Sequence, residues 1–330
     1  MTSHCCSSRR EFIKTLLAIA WISASAGCRQ PAGSRSRVFI ARADGYEADL
    51  PAAILSALRE LAVTAETVRN KRILLKPNLV EPHAGADHIT THPLVVRAAA
   101  EAFRTLGAAQ VVVAEGPGHC RDTQYVLEQS GLAGVLRSER IPFVDLNNDQ
   151  GYEVPNRGRK TALRSWTFPV TLRRFDWIVS MPKLKTHHWA GVTLSMKNLF
   201  GLMPGIYYGW PKNVLHMAGI DEAIFDINMT LRAHLAIVDG ITGMEGDGPI
   251  MGTPKKAGVL VMGRDLAAVD ATSARIMGID PLKIAHLRQA EGRLGRVRES
   301  GIQQAGESIE SVRTRFVLLE KIPAHRRIRL

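Results

Sequence analysis

Cysteine is scarce in this 330-residue chain, four in all, and their positions reduce the supply further. Cys5 and Cys6 precede a pair of arginines near the N-terminus, Cys28 stands where that first segment ends, and only Cys120 falls in the body. A body with one thiol forms no internal disulfide framework and cannot hold an iron–sulfur cluster on four thiolates of its own. Also missing are the G-x-x-x-x-G-K-[ST] phosphate loop and the glycine fingerprint of dinucleotide sites. Positive charge, by contrast, is plentiful. The net charge is +12, and removing residues 1–27, with Arg9, Arg10, Lys14 and Glu11, leaves +10. Much of it lies in the arginine-rich stretches 157–160, 173–174 and 325–330. No helix-turn-helix pattern or aromatic-interleaved basic motif accompanies them, so a solvated basic face is favoured over a nucleic-acid surface.

The N-terminus reads as an address. Ser8-Arg-Arg-Glu-Phe-Ile-Lys14 is a twin-arginine export sequence, followed by an apolar stretch at 15–23 that is too short to span a membrane. Residues 1–27 are therefore expected to be a signal peptide handled by the twin-arginine machinery, and residues 28–36 a linker. The expected location is the periplasm or the outer face of the cytoplasmic membrane. Ala24-Ser-Ala26 fits simple cleavage, whereas Ser25-Ala-Gly-Cys28 resembles a lipoprotein box. Both readings stay open, and a lipid on Cys28 is the one membrane attachment expected. Export argues further against nucleic acid as a partner.

With 45% hydrophobic residues, the remainder is long enough for a substantial core. Strand-like runs at 38–42, 73–76, 111–115, 143–146, 177–181, 235–239 and 259–263 alternate with helical patterns near 50–68, 93–106, 123–137, 192–200, 219–232 and 265–277. This alternation predicts an α/β fold over 37–330, a mostly parallel sheet with helices on both faces. Segment 147–175, rich in Gly, Asn, Arg and Pro, is expected to be an inserted hairpin or a small second lobe.

Polar residues collect at the predicted strand ends. Lys76 and Asn78 follow one strand, Glu115 with Gly-Pro-Gly-His119 another, and Asp239-Gly240 a third. The densest group is Pro182-Lys-Leu-Lys-Thr-His187, read as a strand-to-helix junction in which Lys183 and Lys185 share one side of extended chain. Thr193 and Lys197 then share a face of the predicted helix, followed by Asn198. Ligands of open α/β sheets bind outside the carboxyl ends of strands, and cations gathered there point to an anionic ligand. Asp239, Glu245 and Asp247 lie in a glycine-rich stretch suited to magnesium or calcium, or else are acids that face water or pair with the lysines. His83, His88 and His92 lack the spacing and the partner carboxylate of a transition-metal site.

In order, Lys76-Pro-Asn78, Thr91-His-Pro93, Glu115-Gly116, Pro182-Lys-Leu-Lys-Thr-His187, Met196-Lys-Asn198, Asp239-Gly240 and Asp270 resemble the family called domain of unknown function 362, over about residues 37–280. Members are often labelled iron–sulfur proteins because many carry a ferredoxin-like module. No such module stands in this sequence, so the label is not carried over. What the resemblance implies is a ligand site lined by Lys76, Asn78, Lys183, Lys185, His187, Lys197, Asn198 and Asp239.

Two function classes follow. In the first, an enzyme acts on a small phosphorylated or carboxylated molecule: Lys183, Lys185 and Lys197 neutralise the anion, His187 moves a proton, and Asp239 with Glu245 or Asp247 holds a divalent cation. A lysine of lowered pKa, Lys183 or Lys197, is alternatively the base or nucleophile. In the second, the same residues bind or deliver an anionic ligand or cofactor without chemistry, or serve beside a separate iron–sulfur protein.

Overall fold

The computed structural model describes residues 35–330; the leader and Cys28 lie outside the described residues. Among the described residues twelve strands form: β1 (Ser36–Arg42), β2 (Arg72–Pro77), β3 (Gln110–Glu115), β4 (Phe143–Asp145), β5 (Gly151–Pro155), β6 (Ser165–Pro169), β7 (Trp177–Met181), β8 (Lys183–His187), β9 (Gly191–Thr193), β10 (Leu235–Glu245), β11 (Thr253–Gly263) and β12 (Ile302–Gly306). The main sheet has the order β12-β1-β11-β10-β7-β2-β3-β4, and β8 joins it beside β10. Every strand on that path except β11 runs in one direction. The α/β fold with a mostly parallel sheet is as the alternating pattern predicts.

Side-chain alternation assigns the two faces. Ile73, Leu75, Val179, Leu235 and Ile237 join one apolar core, while Leu74, Ile178, Ala236 and Val238 join the other. The first core is closed by helices α1 (Leu50–Glu60), α2 (Ala65–Val68), α3 (Pro93–Thr105), α4 (Thr123–Gln129) and α5 (Leu132–Ser138). The second is closed by α6 (Ser195–Asn198), α7 (Gly205–Tyr208), α8 (Asn213–Met217), α9 (Ile220–Thr230), α10 (Leu266–Ile276), α11 (Ala285–Ala290) and α12 (Ile309–Val312). Capping follows the sequence signals: Pro93 opens α3, and Asp265 accepts the Ala268 amide at the start of α10 (3.1 Å).

Three expectations need correction. The Lys183–His187 segment, read as a strand-to-helix junction on extended chain, is a full strand leading into another strand, because chain leaving β7 through Pro182 stays beside β10; Pro182 supplies a carbonyl to the Asp239 amide (2.8 Å). Residues 191–193, expected to begin a helix, return antiparallel along β8, and Gly191 takes the positive φ (+76°) that the tight reversal requires. The glycine-rich stretch after Asp239 is the second half of β10, since β11 pairs with it as far as Glu245–Thr253 across a bulge near Gly240. Asp239 is thus mid-strand, level with Lys183.

Segment 147–175 contains the expected hairpin, β5 against β6, a two-stranded sheet of its own. Its tip is fastened to α9 by Asp226, which is buried and accepts hydrogen bonds from Asn156 Nδ2 (2.7 Å), the Lys160 and Thr161 amides (2.9 and 2.8 Å) and Thr161 Oγ1 (2.9 Å). Asp226→Ala strands all four donors, at an expected cost of about 3 kcal/mol or more. Limited trypsin digestion should then cut at Arg157, Arg159 or Lys160; protection equal to that of the parent protein would contradict this anchoring role.

Candidate functional site

The carboxyl ends of β2, β3 and β8 open onto a cleft of about 220 Å³. Of the residues singled out from the sequence, Lys76, Asn78, Glu115, His187, Lys197 and Asn198 line it; Lys183, Lys185, Asp239, Glu245 and Asp247 do not. The parallel strands bring together residues that lie far apart in the chain, and β8 adds His187 from the diagnostic segment.

Two buried ion pairs frame the site. Lys76 Nζ lies 2.5 Å from Glu115 Oε2, with the side chains 1% and 2% exposed, and donates to Asn198 Oδ1 (2.8 Å). Asn198 returns Nδ2 to the Lys76 carbonyl (3.1 Å) and to Ser180 Oγ (3.1 Å), so α6 is tied to β2 and β7. Burial pushes the Lys76 pKa down and the Glu115 pKa up, each opposed by the charge of the other. Gly201 makes this geometry possible: a Cβ there would overlap Glu115 Oε1 and meet Lys76 Nζ.

The second pair is Lys183 with Asp239, 2.5 Å apart and fully buried. Asp239 also accepts the His92 amide (3.0 Å) and the Ile241 amide (3.3 Å), and Tyr46 bonds to both partners while stacking on His92 at 3.6 Å. Lys183 therefore holds β8 to β10 and to the start of α3. The Lys185 ammonium meets the carbonyls of Ile89 (2.8 Å) and Pro249 (3.2 Å), with no carboxylate partner among the described residues. Burial first, then Lys197, Lys183 and Lys76, push its pKa well down.

Inside the cleft the partners run out. Lys197 Nζ has no hydrogen bond or ion pair among the described residues and lies over the Phe200 ring (4.9 Å); burial, then Lys76, lowers its pKa to about 8. Thr193 Oγ1 and Asn78 Oδ1 are buried without a hydrogen-bond partner among the described residues. His187 Nδ1 accepts the amides of Trp189 (3.0 Å) and Ala190 (3.1 Å), which puts the proton of the neutral ring on Nε2 as a donor. Its pKa is pushed well down, by burial and then by Lys197, so the ring stays neutral. The His216 ring has the opposite polarity: Nδ1 donates to the Lys212 carbonyl (3.0 Å), leaving Nε2 an acceptor, and burial holds its pKa near 4. Asp270 positions Lys197 from behind, accepting the Ser195 and Met196 amides (2.8 and 2.9 Å) and the Ser195 hydroxyl at the start of α6.

His119, the end of the Glu115 motif, also lines the cleft, and the structure adds residues the motifs did not mark: Lys212, His216, Trp189 and Phe200. Lys212 bonds to Asn147 Oδ1, and burial, opposed by Glu115, lowers its pKa to about 7. The three carboxylates considered for a metal are not brought together. Asp239 pairs with Lys183, Glu245 with Lys255 (3.4 Å), and Asp247 with His188 (3.4 Å). Among the described residues no group of three or more His, Cys, Asp or Glu is placed to hold a metal ion. His83 pairs with Glu81 (3.2 Å), and His92 caps α3.

Gly201→Ala should force Glu115 away from Lys76. Breaking a buried pair costs about 3–5 kcal/mol, so the urea midpoint should fall with the slope unchanged. A midpoint equal to that of the parent protein would show that the pair is not confined as described.

Comparison with known proteins agrees with the motif order. A family model described as "Domain of unknown function (DUF362)" matches residues 73–275, from β2 through most of α10 and over half of the chain. "Thylakoid-associated protein sll1697" from Synechocystis sp. is 31% identical over 271 residues, which cover 78% of this chain and 79% of that protein. No solved structure matches the chain significantly. The matched span holds every motif residue placed on the cleft, from Lys76 to Asn198, together with Asp239 and Asp270, and the chain accordingly belongs to the DUF362 family.

Proposed function

We propose that the cleft binds a small anion through a phosphate or carboxylate group. One observation carries this reading: Lys197 ends in the cleft with no counter-ion or acceptor among the described residues. Beside that cation the cleft offers two hydrogen-bond donors, the Thr193 hydroxyl, unpartnered among the described residues, and the Nε2–H of His187. An anion supplies what each lacks, and a charge-assisted hydrogen bond is about twice as strong as a neutral one. Lys212 adds a second cation to the wall. Lys76, Glu115 and Asn198 fix the floor; Lys183, Lys185 and Asp239 support β8 from outside the cleft.

Binding without chemistry is favoured over catalysis. Glu115 is neutralised by Lys76, and His187 is held as a donor rather than a base. His216 Nε2 is an acceptor, but with a pKa near 4 it is a weak base at neutral pH. The protein is then an exported anion-binding protein, carried out through its 8–14 motif by the twin-arginine route, with Cys28 as its lipid anchor or the edge of a cleaved leader. Supporting a location beside a membrane, the Synechocystis relative is described as thylakoid-associated. Among the described residues no helix is long and apolar enough to cross a membrane.

Sulfate tests the charge, because its ionisation does not change from pH 6 to 9. Lys197→Met should weaken sulfate binding by about 10- to 100-fold; unchanged affinity would refute the site. Burial lowers the Lys197 and Lys212 pKa values to about 8 and about 7 in the empty cleft, and a bound anion raises both, so binding takes up protons. Affinity should therefore be full only below about pH 6 and fall from there as Lys212 and then Lys197 lose their charges, Lys197 alone accounting for roughly a tenfold loss between pH 7 and 9. Calorimetry in buffers of different ionisation enthalpy should show that uptake; proton release would contradict the assignment. For the leader, replacing both Arg9 and Arg10 by Lys should leave the protein in the cytoplasm, and continued export by the twin-arginine route would rule that address out.

A further inference from the structure

The anion site accounts for the floor of the cleft and leaves its outer wall without a task. That wall is a run of rings: His187 to His188 at 5.0 Å, His188 to Trp189 at 4.7 Å, Trp189 to His216 at 5.1 Å, and His216 to Phe200 at 5.8 Å between centroids. Leu79, Val80, Pro211 and Pro249 fill the lining between polar groups. The chain segment that supplies part of this wall also carries exposed apolar side chains. Among the described residues, Trp189, Ile206, Tyr207, Val214 and Met217 are large exposed apolar side chains, all within the 189–217 stretch that supplies Trp189, Lys212 and His216 to the cleft. Trp189 is 56% exposed, and Met217, next to His216, is 87% exposed. Trp189 packs on His216 at 5.1 Å and Met217 follows that histidine in the chain, so exposed apolar surface adjoins the ring wall where a ligand's apolar part would cover it. Size points the same way: at about 30 Å³ per water, the cleft of about 220 Å³ has room for roughly seven, more than one phosphate group occupies.

We propose that the ligand is amphiphilic: a phosphate or carboxylate head at Lys197, Thr193 and His187, with a hydrocarbon tail that leaves across Trp189 toward Met217. This rests on the anion-binding reading and names the class of molecule that fills the same site. The head is held by charge and hydrogen bonds, and the tail gains by covering the ring wall and the wet apolar rim. Each methylene so buried is worth about 0.8 kcal/mol, close to a fourfold gain in affinity. The tail adds no charge, so the pH dependence set by Lys197 is the same for every chain length.

Calorimetry with inorganic phosphate and with ethyl, butyl and hexyl phosphate, all below their aggregation concentrations, tests the proposal. The quantity read is the ratio of hexyl phosphate to inorganic phosphate affinity. For the parent protein it should exceed about 100, rising stepwise with chain length. In Trp189→Ser/Met217→Gln it should fall at least tenfold, with the circular dichroism spectrum unchanged because both side chains are exposed. In Lys197→Met both affinities should drop together. A flat series in the parent protein with inorganic phosphate still bound through Lys197, or a ratio untouched by the double substitution, overturns the amphiphile and leaves the anion site standing. Failure of the parent protein to bind inorganic phosphate or any ester overturns both.

Discussion

The cost of burying lysine ammonium groups at the carboxyl edge of the sheet governs the rest of this structure. An unpaired charge in a dry interior is penalised by several kcal/mol, and a paired one is tolerated only with close geometry and further hydrogen bonds. Lys76 and Lys183 meet that condition with Glu115 and Asp239, whose carboxylates also take the amides of Gly116, His92 and Ile241. Each pair therefore joins elements: β2 to β3 and α6 in one case, β8 to β10 and the start of α3 in the other. Charge neutralisation becomes a set of struts, and the struts fix the walls of the cleft before any ligand arrives.

What those struts leave over gives the cleft its polarity. Lys185 is satisfied by carbonyls alone, Lys212 by an amide oxygen, and Lys197 by no hydrogen-bond acceptor among the described residues. Glu115 is the one carboxylate among the described lining residues, and Lys76 has already claimed it. A frame whose lining acid is engaged while one cation, Lys197, is left without an acceptor among the described residues is preorganised for a negative charge from outside. His187 fits the same logic: two backbone amides hold its Nδ1 as an acceptor, so what faces outward is a proton.

Much of this was legible before the fold was known, because parallel strands announce themselves as short β-branched runs ending in polar residues. Ile73, Leu74 and Leu75 before Lys76, and Val111, Val112 and Val113 before Glu115, marked both a strand and the edge where it stops. The glycines after Asp239 misled, since glycine suggests a loop and only the partner strand β11 keeps this stretch extended. The lysine segment misled for a related reason: charged residues seldom form a buried strand, and the groups that permit it lie far along the chain, Asp239 for Lys183, 56 residues away, and the carbonyls of Ile89 and Pro249 for Lys185. Lys212, His216 and Phe200 carried no readable signal, because short helices and turns without strong periodicity place them. Trp189 did have one, a large aromatic directly after two histidines in the most diagnostic segment.

The central claim is that an anion completes the unfinished coordination around Lys197. Its most direct test is the anomalous difference density of crystals soaked in tungstate, a heavy oxyanion with the charge of sulfate. The account predicts a peak inside the cleft within hydrogen-bond reach of Lys197 Nζ, the Thr193 hydroxyl and His187 Nε2, and no such peak in Lys197→Met. Tungstate bound only to surface arginines, with the cleft still holding water around Lys197, would contradict it.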